Sequence, residues 1–425
     1  MTLFHTPRPP SWQVCITCGD ELVETDPAVR CDCGGLLDVL HRAPESTDAL
    51  RARLNERLSG SGPRASGVWR YHELVMPGVD TDAIVTHPEG NTPLLQRVQV
   101  SEFAGVDTLL LKHEGHNPTG SFKDRGMTVG MTQAVRIGAR AVACASTGNT
   151  AASLASYAAQ AGLRALVLVP AGRTAAGKLA QTLAYGAKTL AVRGDFDACL
   201  KLLDSASEQL GIYLLNSINP FRLEGQKTIV FEILQQLGWN PPDWIVLPAG
   251  NLGNTSAFGK ALQEAKEWGL ISRVPRIAAV QAAGAAPFAR AFAEGFVTRH
   301  AVQAETVATA IRIGDPASWD RAVRAIRGTN GVALCVSDEE ILAAKRAIDG
   351  SGVGCEPASA ASVAGTRKLV GDGTIAKGET VVAVLTGHVL KDAEILLRGT
   401  NQPVEIEGTV EELAKQVGLG PKNGN

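Results

Sequence analysis

The chain has 425 residues, 45% of them hydrophobic and 20% charged, with 41 Lys and Arg against 43 Asp and Glu for a formal net charge of −2. That balance excludes disorder for most of the chain, and it excludes nucleic acid as the main partner, because a polyanion demands a strong basic excess. No apolar run approaches the roughly 18 residues of a membrane helix, and Met1–Cys15 has no basic stretch leading into an apolar one, so neither a membrane partner nor an export signal is expected and a cytoplasmic location is the default.

Aromatic residues are only 5% while glycines number 45, a mix that suits a layered α/β protein in which small residues let helices lie close on a sheet. At about 150 residues per domain the length suggests roughly three domains. The first feature in chain order is a cysteine cluster: Cys15, Cys18, Cys31 and Cys33 fall within 19 residues, whereas Cys144, Cys199, Cys335 and Cys355 are scattered. Without an export signal these do not read as a disulfide framework. The run Cys15-x2-Cys18, a 12-residue gap and Cys31-x-Cys33 resembles a small zinc ribbon, in which four thiolates meet the tetrahedral preference of Zn2+. The second pair is C-x-C rather than C-x-x-C, and four reduced, unligated thiols are the alternative. A closed four-sulfur site would be structural, since it leaves no open position for catalysis. Residues 41–66 read as a short helix and a linker.

From about residue 105 onward, short apolar runs alternate with longer helical patterns. Thr108–Lys112, Ala141–Ala145, Ala165–Val169, Thr189–Val192, Tyr213–Leu215, Trp244–Leu247, Ile277–Val280 and Val381–Leu385 read as buried strands. Thr150–Ala161, Asp197–Leu210, Thr228–Leu237 and Ser256–Trp268 read as helices. This alternation implies largely parallel sheets covered on both faces, two rather than one, with ligands bound beyond the carboxyl ends of the strands.

The loops after those strands carry the chemistry. After Thr108–Lys112 comes His116-Asn117-Pro118-Thr119-Gly120-Ser121-Phe122-Lys123. Ser121 is expected as an N-cap, which places Lys123 in a first helical turn where the positive helix end depresses an amine's pKa, as a Schiff-base lysine requires. A solvated surface lysine is the alternative. Ser146-Thr147-Gly148-Asn149-Thr150 again closes a strand and opens a helix, offering hydroxyls, N–H groups and an amide to a carboxylate or a ring hydroxyl. Pro248-Ala249-Gly250-Asn251-Leu252-Gly253-Asn254-Thr255 reads as a phosphate cradle at a helix start, with an ordinary tight turn as the alternative; it matches neither the NAD nor the ATP glycine motif. Leu385-Thr386-Gly387-His388 follows the last strong strand.

Together with Glu89–Leu94, Asn216–Pro220, Arg222–Thr228 and Cys355–Ala361, these motifs, in order over about residues 86–395, resemble the pyridoxal-phosphate enzymes of the tryptophan-synthase-β type (fold type II), and among them the threonine synthases. The resemblance implies two open, largely parallel α/β domains with pyridoxal 5'-phosphate between them. We expect residues 41–115 with 222–425 as the large domain, 116–221 as the small one and 1–40 as the ribbon-like segment, in a homodimer. It implies that Lys123 holds the cofactor aldehyde as an imine and then serves as the mobile base. Asn149 would bond the ring hydroxyl, Gly250, Asn251, Leu252, Gly253 and Asn254 the cofactor phosphate, and Thr386 the ring nitrogen. A neutral hydroxyl there does not force ring protonation as a carboxylate would. Ser146, Thr147 and Thr150 would receive the substrate carboxylate. Lys178, Ser217, Asn219 and Arg222 match positions that cradle the leaving phosphate of O-phosphohomoserine, with a solvated Lys178 and a helix-start ion pair for Arg222 as the alternatives.

The expected reaction is therefore γ-elimination of phosphate from O-phosphohomoserine and β-addition of water, giving threonine. Rival readings are a cysteate-synthase-like replacement on O-phosphoserine, a serine/threonine dehydratase, and a non-catalytic amino-acid sensor. The last should show damage at Lys123 or the phosphate loop, and none is visible.

Overall fold

The computed structural model describes residues 9–172, 176–398 and 403–418. Through Asp392 these form one compact unit. At its N-terminal end β1 (Ser11–Cys15), β2 (Glu21–Val23) and β3 (Leu37–His41) make an antiparallel sheet in the order β2-β1-β3. The connection that follows contains α1 (Thr47–Glu56) and α2 (His72–Val75).

Three short elements come next: β4 (Leu94–Gln96), α3 (Val98–Ala104) and β5 (Thr108–His113). The chain then runs through α4 (Lys123–Arg136), β6 (Ala141–Ala145), α5 (Asn149–Ala161), β7 (Arg164–Pro170), α6 (Ala176–Ala184), β8 (Lys188–Val192), α7 (Phe196–Leu210) and β9 (Ile212–Leu214). The four strands β6 to β9 pair in parallel in the order β8-β7-β6-β9.

The third stretch holds α8 (Pro220–Gln236), β10 (Trp244–Pro248), α9 (Gly253–Glu267), β11 (Arg276–Ala282), α10 (Pro287–Ala293), α11 (Trp319–Gly328), β12 (Val332–Val336), α12 (Asp338–Gly350), α13 (Pro357–Gly371) and β13 (Thr380–Leu385). A six-stranded sheet runs β12-β11-β10-β13-β5-β4, parallel except for the β4–β5 pair. The expected two parallel sheets are both present.

Period-2 alternation explains why the central strands are apolar throughout. Ile245, Leu247, Ile277, Ala279, Val382 and Val384 enter one core, while Trp244, Val246, Ala278, Val280, Val381 and Ala383 enter another on the opposite face. Outside the N-terminal sheet, whose three strands had no range in the sequence reading, two strands escaped it, β4 and β12: one is three residues long, and the other is a partly exposed edge strand. Helix α8 begins eight residues before the expected Thr228, because Asn219 caps it and Pro220 opens it.

The second unit, from Ala393 onward, contains α14 (Ala393–Arg398) and α15 (Val410–Val417), the latter capped by the Thr409 hydroxyl. No helix among the described residues is long and apolar enough to cross a membrane.

Candidate active site

Helices α4 and α8 meet with almost no gap. A Cβ added to Gly225 would lie 1.8 Å from the Arg125 carbonyl oxygen, and one on Gly126 2.8 Å from that of Arg222. Glycine at these positions lets the two backbones touch, so the first turns of both helices, carrying Lys123 and Arg222, lie within one another's electrostatic field. Helix α4 is locked further by a buried ion network: Arg125 meets Glu114 at 2.6 Å and Glu232 of α8 at 2.7 Å, and Lys112 of β5 meets Glu232 at 2.6 Å.

Lys123 is the first residue of α4, so the expected position in the first turn holds, but the capping assignment does not. Phe122 occupies the cap position without a side-chain bond, and Ser121 Oγ receives only a long 3.4 Å contact from Lys123 N–H. Ser121 is instead held in an antiparallel bridge with Gly387, while Phe122 N–H donates to the Thr386 carbonyl at 3.0 Å. The lysine loop is thereby stitched to the loop after β13. Asp124 secures its other side, accepting from Thr119 N–H at 2.7 Å, Thr119 Oγ1 at 2.6 Å and Ser153 Oγ of α5 at 2.6 Å.

The Lys123 amine stands 4.3 Å from the Phe122 ring centroid and has no hydrogen bond or ion pair among the described residues. Burial, and then the Arg222 charge, push its pKa down to about 7, with Glu356 pulling the other way. Arg222 is fully buried; Nη1 donates to the Leu215 carbonyl at 3.0 Å, whereas Nε and Nη2 have no partner among the described residues. Burial without a carboxylate lowers it to about 10. An unpaired buried guanidinium is costly and calls for an anion.

Asn149 opens α5 after Gly148, and Ser146, Thr147, Asn149 and Thr150 all remain partly exposed, as a receptor loop must. Asn149 Nδ2 donates to Glu356 Oε2 at 3.0 Å, and Thr386 Oγ1 donates to Glu356 Oε1 at 3.3 Å. One carboxyl group thus bridges two of the expected cofactor contacts. The glycine-rich loop after β10 leads into α9 with Leu252 in the left-handed region at φ 63°, a strained setting for a branched residue. A Cβ on Gly250 would lie 2.9 Å from Ile311 Cα, and the buried Thr255 Oγ1 lacks a partner among the described residues. First-turn N–H groups and a free hydroxyl are donors that fit a phosphate better than a plain turn. Asn251 Nδ2 donates to Ser217 Oγ, which ties this loop to the segment leading into α8.

Asn219 is placed differently from the other expected anion ligands. Its Oδ1 accepts from Phe221 and Arg222 N–H, at 3.0 and 3.3 Å, and its Nδ2 donates to the Leu214 carbonyl at 2.8 Å. It is buried and committed to fixing the start of α8. Lys178 falls within α6, but its side chain lies outside the described residues. Sequence reasoning quoted Glu356 without giving it a role; its signal was an acidic residue just before the Pro that opens α13, with no cap bond to explain it.

The four N-terminal thiols gather away from these loops. Cys15 Sγ lies 3.5 Å from Cys33 Sγ, Cys18 Sγ lies 3.5 Å from Cys31 Sγ, and all four are within 4.8 Å of one another. A second group, His41 with Glu224 and Glu264, is already neutralised by Lys227 and Lys260, which lie 2.5 to 2.8 Å from these carboxylates, so a cation has no role there.

Residues 85–387 match the family described as pyridoxal-phosphate dependent enzyme. Threonine synthase of Methanocaldococcus jannaschii is 45% identical over 404 residues, covering 93% of this chain and 96% of that protein. Threonine synthase of Mycobacterium tuberculosis is 48% identical over 353 residues, covering 82% of this chain and 96% of its own. Among solved structures, threonine synthase from Escherichia coli superposes with a TM-score of 0.71 over 96% of this chain and 95% of that one, at 21% identity, a likeness of fold. The converging lysine, glycine-rich and hydroxyl-rich loops and these relatives agree: the chain belongs to the pyridoxal-phosphate-dependent enzyme family and, within it, to the threonine synthases.

Proposed function

We propose that this protein converts O-phosphohomoserine and water to L-threonine and phosphate, with pyridoxal 5'-phosphate carried on Lys123. The single observation that supports an anionic, phosphorylated substrate is Arg222, fully buried beside Lys123 with two donor nitrogens unpartnered. Pyridoxal phosphate, when bound, supplies an aldehyde for an amine and a ring that accepts the electron pair left by a departing α-proton. With its pKa near 7, the Lys123 amine is neutral often enough at physiological pH to take a proton from Cα and return it later. Ser146, Thr147 and Thr150 receive the substrate carboxylate at the start of α5. Residues Gly250–Asn254 receive the cofactor phosphate, and Asn149 and Thr386 orient its ring.

Arg222, with Ser217 and Lys178, receives the second phosphate, and Asn219 serves that site by holding Arg222 in place. As the Cγ–O bond breaks, charge grows on the departing phosphate, where a fixed cation stabilises the transition state more than the ground state. Cβ gives up a proton, Cγ gains one where the phosphate has left, and water adds its hydroxyl at Cβ while its remaining proton goes with the released phosphate. Purified protein given O-phosphohomoserine, O-phosphoserine, serine or threonine in turn should release phosphate and form threonine from the first only. Phosphate release from O-phosphoserine alone would replace this reading with the cysteate-synthase-like one, and 2-oxoacid formation from free serine or threonine would favour a dehydratase.

The cysteine cluster is proposed to hold one structural Zn2+. Sulfurs about 2.3 Å from a tetrahedral metal lie about 3.75 Å apart, close to the two 3.5 Å pairs here. Metal analysis of protein prepared without chelator should give one zinc per chain; none would remove the metal.

A further inference from the structure

We infer that Glu356 is a positioning residue that sets, through the Thr386 hydroxyl, the hydrogen-bonding polarity offered to the cofactor's ring nitrogen. This rests on the reading in which Asn149 and Thr386 face the ring. The expectation drawn from the sequence was a neutral hydroxyl, Thr386, at that nitrogen. In the structure a carboxyl group stands directly behind it, since Thr386 Oγ1 donates to Glu356 Oε1 at 3.3 Å and Asn149 Nδ2 to Glu356 Oε2 at 3.0 Å.

The arrangement is built rather than incidental. A Cβ on Gly387 would lie 2.5 Å from Glu356 Cδ, so only glycine leaves room for this carboxyl. Glu356 N–H donates to the Gly387 carbonyl at 3.1 Å, Gly387 N–H donates to Ser359 Oγ at 3.0 Å, and Ser359 Oγ lies 3.0 Å from Thr386 Oγ1. Glu356 is 4% exposed, and its carboxyl forms no ion pair among the described residues and makes no cap bond to α13. The groups that face it are Asn149 from α5, Thr386 and Lys391 from the segment after β13, and Lys123 from α4, with Cys355 as its chain neighbour. Burial pushes its pKa above the ordinary carboxylate range, partly opposed by Asn149 and by the Lys391 charge.

A threonine hydroxyl has one proton to give and lone pairs to receive with. When Glu356 is ionised it draws that proton, because a charged acceptor makes the stronger bond, and the oxygen turns a lone pair toward the ring. A ring nitrogen is then welcome only if it carries a proton. When Glu356 is protonated it donates to Thr386 Oγ1, the hydroxyl proton is free for the ring, and a bare nitrogen is preferred. The ionisation of Glu356 thus selects the protonation state of a nitrogen it does not touch.

The test uses holoenzyme loaded with cofactor labelled with nitrogen-15 in the ring, and follows the ring-nitrogen resonance and visible absorbance across the neutral pH range. Native protein should show one pH-dependent step in both signals. Glu356→Gln keeps the size and both contacts, its Oε1 accepting from Asn149 and its Nε2 donating to Thr386 Oγ1 as a protonated carboxyl would, but it cannot ionise, so the step should vanish, and Glu356→Asp should restore it at a shifted pH. A purely structural glutamate would let the Gln variant overlay the native protein, and that result overturns the inference while leaving cofactor binding intact. If the Gln variant does not fold, Thr386→Val severs the same connection, and a step that survives in it overturns the inference equally. Native protein that takes up no chromophore overturns the cofactor reading and this inference together.

Discussion

Two groups of cations flank the start of α4, one at Arg125 and one two residues earlier at Lys123, and they are wired in opposite ways. Around Glu232, the cations Arg70, Lys112 and Arg125 are matched by Glu232 and Glu114, and Lys112 Nζ also finds the Thr92 carbonyl at 2.8 Å and Gln236 Oε1 at 2.9 Å. Most of their shifts follow: Glu114 and Glu232 sit below the usual carboxylate range and Arg125 above its own ordinary value, although burial still pushes the Lys112 amine down against the pull of Glu232. At the partly buried Lys123 and the fully buried Arg222, desolvation meets no carboxylate in ion-pair contact among the described residues, and both cations are driven down, to about 7 and about 10. Burial alone does not mark a site. A buried charge with its partners missing is the better marker, because buried polar groups are normally paired and an unpaired cation favours an anionic ligand.

The sharpest way to break this comparison is to remove one member from each side. Lys123→Ala should abolish threonine formation and the cofactor-dependent visible absorbance while the protein stays folded, since the amine has no partner to abandon. Glu232→Ala should do the reverse. It takes from Arg70 and Lys112 the carboxylate they pair with and from Arg125 one of its two, and losing one partner of a buried ion pair costs about 3–5 kcal/mol, so the denaturation midpoint should fall steeply before any catalytic change is measurable. A Lys123→Ala protein as unstable as Glu232→Ala would erase the distinction.

Arg222→Ala should fall between them. Loss of a charge-assisted contact to the leaving phosphate costs about 2–4 kcal/mol, about 30- to 1000-fold in kcat/KM for O-phosphohomoserine. Stability should not drop in proportion, because an unpaired buried charge is removed. Cofactor binding should persist; if Arg222→Ala strips the cofactor, the two phosphate sites have been exchanged in the reading.

What the sequence made legible follows from range along the chain. Parallel strands buried on both faces are continuous apolar runs, and Ala141–Ala145 came out with its observed ends. The site loops were legible because each is a local signature at a strand end: Lys123 after β5, Asn149 after β6, Gly250 after β10 and Thr386 after β13. The early start of α8 was also written locally, in Asn219-Pro220, and was passed over. Glu356 is different in kind. Its meaning lies in a contact with Asn149, 207 residues away, and in the room that Gly387 leaves for it. No local pattern carries that information. The orphaned nitrogens of Arg222 were equally invisible, because the absence of a partner is a property of packing.

The smallest expected effect concerns protons in the cofactor-free protein. Lys123 titrates near 7 when folded against an ordinary value of 10.5. Between those values the unfolded chain binds the proton that the folded chain has released, so stability rises with pH across that window. Below the folded value both states are protonated and the full penalty of the buried ammonium is present; above the unfolded value neither is, and the penalty is gone. Other groups titrate in the same window, so the quantity to measure is the difference between native apoprotein and Lys123→Met, which fills the same space without a charge. The Met variant should be the more stable at neutral pH and below, with the gap narrowing as the pH rises toward that of a free lysine. In cofactor-loaded protein, where the amine is no longer free, the native curve should lose this slope. A gap that is independent of pH in the apoprotein would mean that Lys123 is solvated like any surface lysine, and the contrast with the Glu232 cluster would rest on Arg222 alone.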